Sequence, residues 1–284
     1  MELQAPAKIN LYLRVVGRRS DGYHELQTLM CCIGLYDTVK LRMGTGQVGM
    51  TCSDPDLPCD ASNLALKAAL QFHAALETDT EIPPQNTYIH LTKRIPAGAG
   101  LGGGSSDAAA VLNGLNRYYG HPFDRLKIMG LALKLGADVP FFIDGKPALA
   151  TGVGEVLSPY HHLPPWGVVV VYPGFGISTG EVFKNLNFGL TKWEKPLRYF
   201  PFKQGKFDRD RHLCNDLETV AIRQFPVIGK IKKALLNQGA NGVLMTGSGS
   251  AVFGLFADLP SAREAAEAMA ASAQWQVFST QLVC

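Results

Sequence analysis

Pro96-Ala97-Gly98-Ala99-Gly100-Leu101-Gly102-Gly103-Gly104-Ser105-Ser106 is the stretch that decides how this chain is read. Five glycines occupy the seven positions from Gly98 to Gly104. Glycine takes positive φ without steric cost and lets a ligand touch the backbone, so successive N–H groups can converge on one anion. The segment leaves a strand-like run, Thr87–Thr92, and enters an apolar helical pattern carrying Ala108, Val111, Leu112, Leu115 and Tyr119. Ser105 or Ser106 is the expected N-cap, and the positive end of that helix adds to the attraction for phosphate. The two hydroxyls suit phosphate oxygens or a magnesium shell. A flexible linker is the bland alternative, but linkers rarely open straight into a strongly apolar helix.

Other glycine motifs fit less well. Gly98, Gly100 and Gly103 satisfy G-x-G-x-x-G, but a dinucleotide fold needs a second strand ending in an acid about 20 residues on. Here a helix reaches Tyr119 and another helical pattern starts at Asp124. A Walker A loop needs a lysine where this chain has Gly104, and a protein kinase would carry H-R-D and D-F-G, neither of which occurs. What remains is a phosphate loop of another type.

Working outward, Lys8–Val15 alternates apolar and polar residues as a half-buried strand does, and the Asp21-Gly22 pair marks a turn. Val39, Leu41 and Met43 alternate likewise. Ser62 or Asn63 caps a helix to about Leu76, and Asp124–Leu135 reads as a helix stopped by a left-handed Gly136. Beyond Trp166–Tyr172, a buried strand, come a short helix near Thr179–Leu186 and an irregular basic and aromatic insertion, Lys192–Asp210. A helix at Val227–Gln238, strands at Val243–Thr246 and Ala251–Phe256, a helix at Ser261–Ser272 and a strand at Gln276–Leu282 follow. That order resembles a split β-α-β sheet backed by helices. Ser158-Pro159 and Leu163-Pro164-Pro165 mark one boundary, between a nucleotide-binding lobe at 1–158 and a substrate-binding lobe at 159–284, both α+β.

Bulk composition excludes several classes. A net charge of +3, with basic residues scattered, gives no nucleic-acid footprint. The most apolar run, Val168–Tyr172, is too short to cross a bilayer, and Met1–Pro6 carries no secretory signal. The six cysteines form no C-x-x-C pair and have no histidine at ligand spacing, so buried thiols in a reducing cytoplasm are expected.

Phosphoryl transfer needs a placed hydroxyl, a proton acceptor and positive charge on the moving group. Asp138, in Gly136-Ala137-Asp138-Val139-Pro140-Phe141-Phe142, is a lone acid on an apolar shoulder and suits a general base; a cap or turn residue is the competing reading. Lys8, between Ala7 and Ile9, is either a charge partner for such a base or an edge-strand lysine reaching for solvent. Tyr23-His24 is either a stacking and hydrogen-bonding pair for a planar base or an ordinary exposed turn. Thr246-Gly247-Ser248-Gly249-Ser250 is a glycine hairpin and a candidate second lining for a phosphate-bearing ligand.

Taken in order, Ala7-Lys8-Ile9-Asn10-Leu11, Asp21-Gly22-Tyr23-His24-Glu25-Leu26-Gln27-Thr28, Leu101-Gly102-Gly103-Gly104-Ser105-Ser106-Asp107-Ala108-Ala109, Gly136–Phe142 and Asn215-Asp216-Leu217-Glu218 resemble the GHMP kinases (galactose, homoserine, mevalonate and phosphomevalonate kinases). The resemblance spans nearly the whole chain. It implies a two-lobed α+β fold, with an N-terminal ribosomal-protein-S5-like lobe and a C-terminal ferredoxin-like split βαβ lobe. It also implies ATP with Mg2+, and a cytoplasmic monomer or weak homodimer that binds neither nucleic acid nor membrane. Within the family the likeness is strongest to the branch that phosphorylates the 2-hydroxyl of a cytidyl-diphosphate-linked methylerythritol in non-mevalonate isoprenoid biosynthesis. A homoserine or mevalonate kinase is the alternative; a nucleotide-binding sensor without turnover and an oxidoreductase rank lower. By the resemblance Asp138 is the base and Lys8 its charged partner, while Asn10 places the substrate. Tyr23 and Phe183 sandwich the cytosine and His24 bonds its edge. Thr179 is a substrate contact, although Gly180 stands where the family pattern has proline. Pro96–Ser106 holds the phosphates, and Asn63 and Lys93 lie near the nucleotide base.

Overall fold

The computed structural model describes residues 1–44, 46–186, 200–202, 206–271 and 275–284. Most of the Lys192–Asp210 insertion lies outside the described residues. Its end, Arg209–His212, is a short helix, α6 in chain order.

The first two strands are long. β1 runs Glu2–Arg18 and β2 His24–Met43. Between Ala5 and Val15, and between Gln27 and Ile33, nearly every residue is buried, so both faces of these strands are covered there. β3 (Gly49–Cys52) and β4 (Thr87–Thr92) flank α1 (Leu64–Asp79), whose Asn63 cap accepts from the Ala65 N–H. α2 (Gly103–Tyr118), α3 (Arg125–Leu135) and α4 (Val139–Asp144) follow, then β5 (Ala148–Thr151), β6 (Val156–Pro159) and β7 (Gly167–Tyr172). After α5 (Thr179–Lys184) and α6 come β8 (Cys214–Asn215), α7 (Glu218–Gln224) and α8 (Val227–Asn237). β9 (Gly242–Met245), β10 (Val252–Phe256), α9 (Leu259–Ala270) and β11 (Gln276–Val283) complete the chain.

Where the sequence marks one cut, the chain's contacts divide it into two interleaved units: 1–7 with 35–95 and 102–145, and 8–34 with 96–101 and 146–284. β1 and β2 are long enough to contribute to both. In the first unit β4 pairs antiparallel with Thr38–Met43 of β2 and parallel with β3. α1 packs on α2 and α3, and Phe72, Leu76, Val111, Leu112 and Phe141 are buried in this unit. In the second, the order β11-β7-β10-β9 is antiparallel throughout, the expected split βαβ arrangement. α8 and α9 pack on that sheet over Val169, Val171, Ile231, Leu235, Ala262 and Met269.

Several local expectations change. The cap of α2 is Gly102, at φ 72°, and Ser105 and Ser106 lie inside the first turn instead. A left-handed glycine there turns the chain without a side chain, so no hydroxyl is needed as a cap. Gly136 ends α3 in extended backbone, at φ 166°, because the chain enters α4 almost at once. All six cysteines are free, as expected, but the buried ones are Cys31 and Cys32 alone; Cys59 and Cys284 are exposed on loop and strand ends. No described helix is long and apolar enough to cross a membrane.

Candidate active site

Lys8 is a charged residue in the middle of a buried strand, 4% exposed. Two features of the second unit hold it. Its backbone N–H donates to the Leu101 carbonyl at 2.9 Å, which ties β1 to the end of the glycine-rich segment. Its ammonium donates to Asn10 Oδ1 at 2.6 Å. A Cβ built on Gly247 would lie 3.4 Å from that ammonium, so Lys8 Nζ sits against the C-terminal glycine turn as well. The reading of Lys8 as a side chain reaching for solvent is thereby removed.

The two glycine segments cross at close range. A Cβ on Gly100 would stand 2.2 Å from the Thr246 carbonyl oxygen, and Gly100 has φ +79°, so only glycine fits. The Ala251 N–H donates to the Ala99 carbonyl at 3.1 Å, and Ile177 donates to Gly98 at 3.2 Å. Pro96–Leu101 is thus laced into the second unit by its backbone. Asn215, on β8, donates from Nδ2 to the carbonyls of Met245 and Gly247, 2.8 Å each, and so fixes the C-terminal turn from beneath.

Farther along this unit, His24 stacks on Phe183 with centroids 4.8 Å apart and planes 14° from parallel. Burial, then the nearby Arg18 charge, pulls the His24 imidazole below its ordinary pKa. Tyr23 is 66% exposed. One face of Phe183 is therefore taken by His24, and a base stacked on Phe183 uses the other face or displaces the imidazole. Thr179, the first residue of α5, has its hydroxyl 2.9 Å from that of Ser248 in the C-terminal turn.

In the first unit, α2 begins with no side-chain cap, so its positive end is left to backbone N–H groups. The Ser106 hydroxyl is buried there without a partner, whereas Ser105 is half-buried. The Lys93 side chain is 7% exposed, and its ammonium is shared by Asp37 and by Asp107 at 2.8 Å. Asp37 also accepts from the backbone N–H groups of Arg94 and Ile95, at 2.6 and 2.9 Å. Asn63 uses its side chain to cap α1 and to donate to the Pro58 carbonyl at 2.9 Å. Asp138 is half-buried at the N-cap position of α4, and its side chain makes no capping hydrogen bond.

Sequence reasoning missed Asp37 and gave Thr28, Asp107 and Thr246 no role beyond their motifs. Asp37 was legible: Leu35, Asp37, Val39 and Leu41 alternate onto the buried face of β2, and an acid there requires a cation. The contact of Asn10 with Thr246 spans 236 residues, and no local signal carries it.

The comparisons agree with this architecture. Residues 63–146 match the family model for the GHMP kinases N terminal domain, and residues 205–274 that for GHMP kinases C terminal. A 4-diphosphocytidyl-2-C-methyl-D-erythritol kinase of Syntrophotalea carbinolica is 45% identical over 98% of each chain. A crystal structure of 4-(cytidine 5'-diphospho)-2C-methyl-D-erythritol kinase superposes with TM-score 0.82 at 39% identity, covering all of both chains. A homoserine kinase from Cytophaga hutchinsonii, 18% identical with TM-score 0.71 over 100% of this chain and 94% of its own, shares the fold. By the two family models and by its close relatives, the chain belongs to the GHMP kinase family and is a kinase.

Proposed function

We propose that the chain transfers the γ-phosphoryl group of ATP to the 2-hydroxyl of 4-diphosphocytidyl-2-C-methyl-D-erythritol, a step of non-mevalonate isoprenoid biosynthesis. The observation that carries this reading is 45% identity, over 98% of both chains, to an enzyme named for that substrate. A tertiary alcohol is a crowded, weakly acidic nucleophile, so placement and proton removal matter more than covalent help. Asp138 takes the hydroxyl proton as the oxygen–phosphorus bond forms and the bond to the β-phosphate oxygen breaks. Lys8 supplies positive charge to the base and to the reacting oxygens. The N–H groups of the glycine-rich segment and of the uncapped first turn of α2 receive the phosphates. Phe183, His24 and Tyr23 hold the cytosine by stacking and by one edge hydrogen bond.

Magnesium would accompany the nucleotide. Its ligands would be mainly phosphate oxygens and waters.

The test is ADP release with the cytidyl-methylerythritol substrate, using homoserine and mevalonate as controls. Turnover with the first alone is expected; comparable turnover with a control would favour a different branch of the family. Asp138→Asn is expected to lower kcat by roughly 100-fold or more while sparing ATP binding. Near-normal turnover of that variant would remove Asp138 as the base.

A further inference from the structure

We propose that Thr28 and Thr246 are positioning residues for the reaction: through the Asn10 amide they fix where the Lys8 ammonium stands. The inference rests on the reading of Lys8 as the charged partner, and goes beyond it by naming what places that charge. Its basis is a chain of hydrogen bonds inside the second unit. Lys8 Nζ donates to Asn10 Oδ1 at 2.6 Å, and Asn10 Nδ2 donates to Thr28 Oγ1 at 2.9 Å. The Thr246 hydroxyl accepts the Asn10 backbone N–H at 3.1 Å. Its single proton faces two acceptors, Asn10 Oδ1 and the Gly100 carbonyl, each at 3.3 Å.

An asparagine amide has nearly the same shape either way round, so its orientation is set by its partners. Facing Lys8, the oxygen attracts the ammonium and the NH2 group would repel it. A hydroxyl can donate as well as accept, so the donor-only ammonium selects the sense of the amide, while Thr28 and Thr246 bond its two ends and hold Oδ1 at the point where Lys8 meets it. Asn10 thus turns its amide oxygen to the ammonium.

All four side chains are buried: Lys8 is 4% exposed, Asn10 3%, Thr28 2% and Thr246 0%. Burying that much polarity where apolar packing would be more stable is costly unless the charge must sit at a defined point. The network also reaches the glycine-rich segment, since Thr246 bonds Gly100 and the Lys8 N–H bonds Leu101. The ammonium and the backbone that would carry phosphate are therefore set by one rigid assembly. Thr28 is fixed in turn by its register on β5, opposite Ala150.

The test compares Thr28→Val, Thr246→Val, Thr28→Ser and Lys8→Met in steady-state kinetics. The valine variants keep the shape and lose the hydroxyl. Each is expected to lower kcat by about 10- to 100-fold with both KM values within about 3-fold, as for a group that acts in the transition state. Thr28→Ser restores the hydroxyl and is expected to restore kcat. Unchanged kcat in both valine variants, with Lys8→Met inactive, would overturn the proposal and leave Lys8 standing. A serine variant as impaired as the valine one would also overturn it, since packing and not the hydroxyl would then matter. A Lys8→Met enzyme of normal activity would instead remove the underlying reading.

Discussion

Two carboxylates and one ammonium share a dry volume beside the first turn of α2. If Asp37 and Asp107 were both ionised around Lys93, the cluster would carry one uncompensated negative charge. Burial raises the Asp107 carboxyl to about 7 despite the opposing pull of Lys93, and the charge of Asp37 adds to the rise. Burial pulls Lys93 down, but the two carboxylates outweigh it and hold the ammonium above its ordinary value. A raised carboxyl binds its proton more tightly folded than unfolded, so its contribution to stability is complete below about pH 4 and declines as pH rises toward 7. Asp107→Asn removes the titration and leaves a neutral Asp37–Lys93 pair. Relative to the parent, that variant is expected to gain stability by up to about 1.4 kcal/mol per pH unit between about pH 4 and 7. Urea unfolding across that range measures it; a constant difference would contradict the raised carboxyl. The expected place of Lys93 near the nucleotide base has to accommodate this pairing, for its charge is already used.

At the scale of elements, the same glycine run contains positions with opposite demands. Gly100 crosses under the Thr246 carbonyl with positive φ, so Gly100→Ala meets both a left-handed backbone and a backbone clash at 2.2 Å. About 3 kcal/mol of stability or more is expected to be lost, from strain and overpacking. Gly104 lies in α2 and its added Cβ would meet only Leu64 Cδ1, at 3.8 Å. Gly104→Ala should therefore hold or raise stability by up to about 1 kcal/mol, while weakening ATP wherever the phosphate needs the bare backbone. Denaturant melts paired with the KM for ATP separate the two; equal destabilisation would undo the distinction. Much at this scale was legible, because α1, β4, α8 and β11 repeat one period cleanly, and Asn63 and Gly239 mark the start of α1 and the end of α8. β1 and β2 were read short because a strand buried on both faces stops alternating. β3, β5, β6 and β8, of two to four residues, were missed because their pairing comes from distant neighbours. The α2 cap was misread because serine is the usual sign, while a left-handed glycine does the same turn silently.

For the whole molecule, interleaving means that the sequence boundary near residue 158 falls within the second unit. The motifs themselves were legible, as a series of short strings, but not how they are distributed: Lys8 and Pro96–Leu101 belong with 146–284, and Asp138 and Ser105 with the other unit. This has a consequence for the isolated C-terminal half. Residues 159–284 retain the β11-β7-β10-β9 sheet, yet lose the strands that flank it. β11 pairs through Val283 with Cys32 of β2, and β8 pairs through Cys214 and Asn215 with Tyr12 and Leu13 of β1. Leu13 and Val15 are also members of the second unit's apolar core. Without residues 8–34, those core neighbours and the β11 edge are exposed, and Asp216 loses its ion pair with Arg14 at 2.7 Å. A fragment of residues 159–284 is therefore expected to lack a cooperative melt and sharp near-ultraviolet circular dichroism. Adding residues 1–34 as a separate peptide is expected to restore part of both, because the missing strands are then supplied. A fragment that unfolds cooperatively alone would show that the half-chain is an autonomous domain, and that β1 and β2 only decorate it.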